Sequence, residues 1–197
     1  TTTTASTTTT TAPTTTAAPT TTEPPTTTTA PPPPPNIYAH IATPNAATTG
    51  HRFLVYVPHE VTGTTMVIDP LTLEVINTFT TGPESQHVVP SWDMSVLYAI
   101  SSRGDLITPI DPATGIQGEA IPVEDPYNLY WTPDGSEAII IEEANQTITF
   151  RHPTTFAHHS SVWVPCPGLN HLDYSADFSY FIATCEFEGS VIRFDRN

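Results

Sequence analysis

The sequence predicts an all-β fold: a β-propeller with four-stranded blades of about 42 residues, preceded by a disordered Thr/Pro-rich tail. Three observations lead to this prediction. Similar segments return at a nearly constant interval, short runs of β-forming residues alternate with turn residues, and the composition changes abruptly after residue 35. We therefore expect two parts, a linker over residues 1–35 and a partial propeller over residues 36–197.

A repeat runs through the second part of the chain. One turn-like segment carries Asp or His at spacings of 42, 41 and 43 residues, and a second carries Asp at spacings of 41 and 43. The first set is Asp69, Asp111, His152 and Asp195, and the second set is Asp93, Asp134 and Asp177. Two independent sets with one spacing indicate a structural unit that is repeated along the chain.

Within one unit, the sequence favours strands over helices. The runs 96–100, 105–110 and 117–123 are rich in β-forming residues, and turn residues separate them. Four strands in about 40 residues is the unit of a propeller blade. Since about 3.5 such units fit in the chain and closed propellers have roughly four to eight, we expect a fragment of a ring with about seven blades. The alternative is a ring completed by other chains.

The first 35 residues are too simple in composition to form a core. They contain 19 Thr, 9 Pro and 5 Ala, with no aromatic residue and no aliphatic residue larger than Ala. Clustered Thr with Pro is typical of an O-glycosylated, mucin-like stalk. This interpretation predicts a secreted glycoprotein that is extracellular, on the cell surface or in the periplasm. The alternative is an unmodified disordered linker.

Charge narrows the range of partners. The chain has 20 acidic residues, five arginines and no lysine, which gives a net charge of −15. A nucleic-acid-binding protein needs basic side chains to replace the counterions of phosphates, so we expect no nucleic-acid partner. No apolar run approaches the roughly 20 residues that span a bilayer, and the sequence therefore predicts no transmembrane segment.

Two segments resemble a known family. Residues 110–115 read Ile-Asp-Pro-Ala-Thr-Gly, and residues 131–135 read Trp-Thr-Pro-Asp-Gly. Over residues 52–197 the sequence is similar to the YVTN-repeat family of β-propellers, which includes the secreted YncE-like proteins, and more distantly to lactonase-like and haem d1-type propellers. It departs from the family pattern at residues 91–94, which lack the expected Pro and Gly, and at His152, which stands where the family has Asp.

The repeat also places three side chains at one end of the predicted propeller. His87, Asn128 and His171 each lie six residues before the Asp of the second repeated set. Because equivalent positions on inner strands face the same end of the channel, we expect them at the channel mouth, with Glu142 and Glu186 on neighbouring loops. Imidazole and carboxylate groups suit a divalent transition metal, with His87 and His171 as its first ligands. The alternative is that these polar groups satisfy backbone amides.

Two cysteines fall close together in the same register. If the first two strands of the last blade pair around Asp177, Cys185 lies opposite position 169, and Cys166 lies in the loop just before it. We expect a disulfide between Cys166 and Cys185 in an oxidising compartment. The alternative is a thiolate ligand beside His171.

No motif in the sequence specifies a reaction. The G-x-S-x-G and H-E-x-x-H patterns are absent. The pair His158-His159 lies on a predicted outer strand, where neighbouring side chains face opposite sides. We therefore predict a secreted or surface-displayed binding module whose partner is a protein, a glycan or a small molecule. The alternative is an enzyme or redox protein, lactonase-like or dependent on a metal or haem, with its site at the channel mouth.

Overall fold

The computed structural model describes residues 37–38 and 48–196. These residues form fifteen β-strands and no α-helix, and accordingly none of them belongs to a helix able to cross a membrane. The tail predicted over residues 1–35 lies outside the described residues. The all-β prediction is confirmed.

The strands form four consecutive antiparallel sheets, and within each sheet neighbouring strands follow one another along the chain, except that β8 pairs with β6. The first sheet contains β1 (Val55–His59), β2 (Thr64–Asp69) and β3 (Glu74–Thr80). The second contains β4 (Ser85–Pro90), β5 (Leu97–Ser101) and β6 (Leu106–Asp111), with the short strands β7 (Ile116–Gln117) and β8 (Ile121–Pro122) both on β6. The third contains β9 (Pro126–Trp131), β10 (Ala138–Glu142), β11 (Thr147–Arg151) and β12 (His158–Trp163). The fourth contains β13 (Leu169–Tyr174), β14 (Tyr180–Cys185) and β15 (Ser190–Asp195).

In the second and third sheets, the first repeated set marks the turn between the third and fourth strands. Asp111 Oδ1 accepts a hydrogen bond from the backbone N–H of Ala113 at 2.8 Å, which folds the chain back on itself. His152 stabilises the equivalent turn in the third sheet. Its Nδ1 accepts hydrogen bonds from the N–H groups of Thr154 and Thr155, both at 3.2 Å. The departure from Asp at this position therefore preserves the turn.

The second repeated set marks the turn between the first and second strands. Asp177 Oδ1 accepts from the hydroxyl groups of Ser175 and Ser179 at 2.7 and 2.8 Å. These hydrogen bonds lower the pKa of Asp177 to about 2. Asp93 Oδ1 likewise accepts from the hydroxyl groups of Ser91 and Ser95, and Asp134 Oδ1 accepts from that of Ser136. The constant spacing therefore reflects a turn that recurs once in each of these blades.

Apolar side chains pack between neighbouring sheets, because alternate residues of each strand face opposite sides. The cluster between the first and second sheets is built on Val67, Phe79, Ala99 and Ile110. Trp131 and Ile140 lie at the centre of the cluster between the second and third sheets. Leu169, Phe181 and both cysteines belong to the cluster between the third and fourth. The sheets therefore stack face to face, as the blades of a propeller do.

Gly135 lies in a turn and packs closely against an aromatic ring. Its φ is +73°, and an added Cβ would lie 2.4 Å from the ring of Trp92. Gly189 has a similar φ of +64°, but no atom lies within 4 Å of its added Cβ. Because both positions carry the same left-handed strain, we expect Gly135→Ala to lower the free energy of unfolding by at least about 1 kcal/mol more than Gly189→Ala. Urea denaturation measures this difference, and equal losses would show that Trp92 moves aside freely.

Two residues before the first sheet attach to one end of the inner strands. The N–H of Ile37 donates to the carbonyl of Trp92 at 2.9 Å, and the hydroxyl of Tyr38 donates to the carbonyl of Trp131 at 2.8 Å. The Tyr38 ring also packs edge-to-face on Tyr174, with centroids 5.7 Å apart. Since these partners lie at or just after the C-terminal ends of β4, β9 and β13, residues 37–38 contact three blades at the same end.

Candidate functional site at the channel mouth

The three side chains predicted from the repeat come together in the structure. His87 on β4, Asn128 on β9 and His171 on β13 are each the third residue of an inner strand. The ring centroids of His87 and His171 are 5.5 Å apart, and Asn128 Nδ2 lies 3.0 Å from His171 Nδ1. Three successive blades therefore place one polar side chain each in a single group near the N-terminal ends of their inner strands.

Tyr127 completes a group of three rings. Its centroid is 5.3 Å from that of His87 and 5.9 Å from that of His171, and its carbonyl accepts from His87 Nδ1 at 3.0 Å. The repeat does not predict Tyr127, because this residue precedes the position that is polar in all three inner strands by one. The available signal was an aromatic residue just before that position, where the other two inner strands carry Gln86 and Asn170.

Asn128 is buried and fixes the arrangement of the group. Its Oδ1 accepts from the N–H of Leu129 at 2.9 Å, so its Nδ2 must be the end that donates to Tyr130 Oη and to His171 Nδ1, at 2.9 and 3.0 Å. Tyr130 Oη also accepts from the N–H of Leu172 at 3.2 Å. We call His87, Tyr127, Asn128, Tyr130 and His171 the mouth cluster.

His87 is held in its neutral form. Burial is the main cause that lowers the pKa of His87, and the nearby His171 lowers it further, although the hydrogen bond to Tyr127 acts in the opposite direction. If both His87 and His171 carried a proton on each ring nitrogen, their two positive charges would repel each other. His87 therefore has no charge at neutral pH.

Carboxylates surround the mouth cluster. The pKa of Tyr127 is raised first by burial and then by four glutamates, Glu143, Glu186, Glu60 and Glu84. The pKa of Glu143 is itself raised, by burial and then by Glu186 and other acidic neighbours. Arg103 forms an ion pair with Glu84 at 2.8 Å. This rim has an excess of negative charge, which disfavours anionic ligands.

Glu142, which the sequence predicts on a loop beside the channel mouth, forms hydrogen bonds with side chains of its own sheet. Its buried carboxylate accepts from Thr149 Oγ1 at 3.0 Å and from Arg151 Nη2 at 3.4 Å, both on the neighbouring strand β11. The register between β10 and β9 shifts between Ile141 and Glu142. The Glu142 side chain lies against β11, within its own sheet. Glu186, by contrast, stays on the rim, where its carboxylate accepts from Asn170 Nδ2.

A metal ion has few ligands here. Within the described ranges, no group of three or more His, Cys, Asp or Glu side chains is placed to hold one. His87 and His171 both use Nδ1 in hydrogen bonds, so each would have only Nε2 for a metal. His158 and His159 are exposed on the outer strand β12, as predicted, and His159 contacts Glu137. The divalent transition metal stays a hypothesis from the sequence.

Cys166 and Cys185 form a disulfide, with Cα atoms 5.1 Å apart. Cys185 pairs with Leu169 in the register between β13 and β14, as the repeat predicts. Both cysteines are buried in the cluster between the third and fourth sheets. Because both sulfurs are used in this bond, neither is a thiolate ligand beside His171.

The fold is similar to those of solved β-propeller proteins. Hydrazine synthase from Kuenenia stuttgartiensis matches with a TM-score of 0.58 and 18% identity, over 72% of this chain and 42% of its own. Dihydro-heme d1 dehydrogenase NirN, in a complex with DHE, matches with a TM-score of 0.53 and 16% identity, over 72% and 32%. A chain of the mitotic checkpoint complex matches with a TM-score of 0.60 and 11% identity, over 72% and 47%. This chain has a partial β-propeller fold.

These likenesses establish the fold alone, because the identities are low. The matched region spans less than half the length of each of the three proteins. No protein-family model matches the sequence, and no curated protein matches it. Any activity must therefore be argued from the residues of the propeller itself.

Neutral His87 makes folding stability depend on pH. The unfolded chain binds a proton at His87 more readily, so this contribution is complete above the unfolded pKa near 6.5 and is lost as pH falls towards the lower folded pKa. We expect the wild-type protein to lose more stability between about pH 7.5 and pH 5.5 than His87→Asn does. Urea denaturation at the two pH values measures the difference. Equal losses would mean that folding does not lower the pKa of His87.

Proposed function

We propose that the protein is a secreted or cell-surface binding module of the YVTN type, which holds its ligand at the channel mouth. One observation carries this proposal: three successive inner strands place His87, Asn128 and His171 in a single cluster. Side chains at equivalent repeat positions could equally have been small or apolar. Instead, they are polar and converge, and His171 is exposed.

The attachment of residues 37–38 supports display of this mouth. Ile37 and Tyr38 bind at the C-terminal ends of the inner strands, whereas the mouth cluster lies near the N-terminal ends. Asn128 and Trp131 are three residues apart on β9, which is about 10 Å along an extended strand. Residues 37–38 therefore contact the propeller away from the mouth cluster and leave that cluster uncovered by their own side chains.

Two further features fit a location outside the cytoplasm. The Cys166–Cys185 disulfide is buried in the core between two blades, which is typical of a structural bond made in an oxidising compartment. The tail composition is that of an O-glycosylated stalk. Surface labelling of intact cells that express the full chain, together with the intact mass of the mature protein, tests both points.

The enzymatic alternative has less support. Two of the similar structures are named as a synthase and a dehydrogenase, but at 18% and 16% identity they inform only the fold. The mouth cluster offers two histidines whose Nδ1 atoms are both engaged. A binding role uses the cluster as it stands, whereas a redox or metal-dependent role needs further groups.

A pair of double variants tests the proposed site. The full chain is labelled and applied to arrays of glycans and of peptides with acidic, basic and neutral side chains. We expect at least one ligand whose binding signal falls tenfold or more in His87→Ala/His171→Ala, because both side chains belong to the mouth cluster. The matched control is His158→Ala/His159→Ala, which removes two exposed imidazoles on the outer strand and should keep the signal. If the two double variants bind alike, the mouth is not the binding site.

A further inference from the structure

The proton positions on His171 follow from its neighbours. Asn128 Nδ2 can only donate, because Asn128 Oδ1 is occupied by the N–H of Leu129. His171 Nδ1 must therefore accept, and Tyr130 Oη lies 3.4 Å from the same nitrogen. In neutral His171 the proton is then on Nε2, which becomes a hydrogen-bond donor.

His87 has the opposite arrangement. Its Nδ1 lies 3.0 Å from the carbonyl oxygen of Tyr127, which can only accept, so Nδ1 carries the proton. In neutral His87, Nε2 therefore presents a lone pair and is a hydrogen-bond acceptor. Two imidazoles with centroids 5.5 Å apart thus offer one donor and one acceptor.

This pairing discriminates between ligand classes. A hydroxyl group both donates and accepts, so hydroxyls can satisfy His87 Nε2 and His171 Nε2–H together. An ammonium group only donates and would leave His171 Nε2–H without a partner, while a carboxylate only accepts and would also be repelled by the glutamate rim. The exposed His171 ring and the half-buried rings of His87 and Tyr127 also give this site apolar surface, which the C–H groups of a sugar can contact.

We propose that the mouth cluster binds a neutral carbohydrate, whose hydroxyl groups accept from His171 Nε2–H and donate to His87 Nε2. This inference rests on the proposed function, since it names the ligand class of the same mouth. Asn128 and the carbonyl of Tyr127 act as positioning groups, because they set the proton positions of the two histidines. The ligand itself contacts the imidazoles.

The first test needs no substitution. The 15N chemical shifts of the imidazole nitrogens in the full-length wild-type protein, measured by NMR at neutral pH, report which nitrogen carries the proton. We expect protonation on Nδ1 of His87 and on Nε2 of His171. The same tautomer at both residues would overturn the proposal even if the fold is intact.

The second test measures binding directly. Mannotetraose, cellotetraose and N-acetylchitotetraose are the neutral probes, and tetragalacturonate and tetralysine are the charged ones, each titrated into the full chain by calorimetry. We expect at least one neutral probe to bind, with affinity at least tenfold weaker in His87→Ala/His171→Ala and unchanged in His158→Ala/His159→Ala. Absence of binding by all three neutral probes at concentrations on the order of millimolar would overturn the carbohydrate inference.

Asn128→Asp reverses the discrimination. A carboxylate at position 128 would accept from His171 Nδ1, so that the proton moves from Nε2 to Nδ1 and both histidines present acceptors. We expect this variant to lose affinity for the neutral probe and to gain affinity for tetralysine. If wild-type protein already binds tetralysine through the mouth histidines, the binding function stands and the carbohydrate inference fails. If no probe depends on His87 and His171, both fail.

Discussion

Replacing Trp131 by alanine should lower the free energy of unfolding by about 3–5 kcal/mol. Trp131 is fully buried at the end of β9, where its ring packs near those of Tyr98 and Phe156, with centroids 6.1 and 6.3 Å away. Its indole Nε1 donates to the carbonyl of Pro90 at 2.9 Å, which joins the second and third sheets. The variant would leave a large cavity and an unpaired carbonyl between two blades.

Trp163 is the matched control for this prediction. It has the same side chain, but lies on the outer strand β12 with 65% of its surface exposed. We expect Trp163→Ala to change stability by no more than about 0.5 kcal/mol. Urea denaturation followed by circular dichroism compares the two variants. A loss in Trp131→Ala as small as that expected for Trp163→Ala would mean that the interface between the second and third blades contributes little to stability.

Removing the disulfide should have the next largest effect. Cys166 and Cys185 are 19 residues apart, and a loop of this length contributes about 3 kcal/mol through the entropy of the unfolded chain. We expect Cys166→Ala/Cys185→Ala to lose stability of this order, since both side chains also pack between the third and fourth sheets. The midpoint of urea unfolding, with an unchanged slope, is the measurement.

A reducing agent provides the internal control for the disulfide. Dithiothreitol should destabilise the wild-type protein by an amount similar to the double substitution, and should leave the double variant unaffected. If reduction destabilises both proteins equally, the effect does not arise from this bond. If neither reduction nor substitution lowers stability, the loop is already constrained in the unfolded chain.

The repeat made most of the fold predictable, because its nearly constant spacing has a simple local cause. Aspartates such as Asp111 and Asp177 accept hydrogen bonds from residues just beyond them and so determine where each turn forms. With the turns located, the strand alternation places His87 and His171 at equivalent positions of their inner strands. The same register predicted that Cys185 lies opposite Leu169.

The parts of the site that sequence could not provide depend on contacts between blades. The register is irregular at Glu142, whose carboxylate accepts hydrogen bonds from Thr149 and Arg151, and no residue pattern predicts either feature. Tyr127 joins the mouth cluster through its ring and its carbonyl, which depend on the spacing of β4 and β9. Side-chain periodicity describes one strand at a time, so it predicted neither outcome, although Tyr127 does stand out in the sequence as an aromatic residue where the other two inner strands carry Gln86 and Asn170.

The attachment of Ile37 and Tyr38 has a mechanical consequence. A pulling force applied to the chain before residue 37 reaches the propeller through the carbonyls of Trp92 and Trp131 and through the ring of Tyr174. These contacts belong to three different blades, so the load is shared among them and does not peel a single edge strand from its sheet. We therefore expect Ile37 and Tyr38 to spread a load applied at this point over three blades.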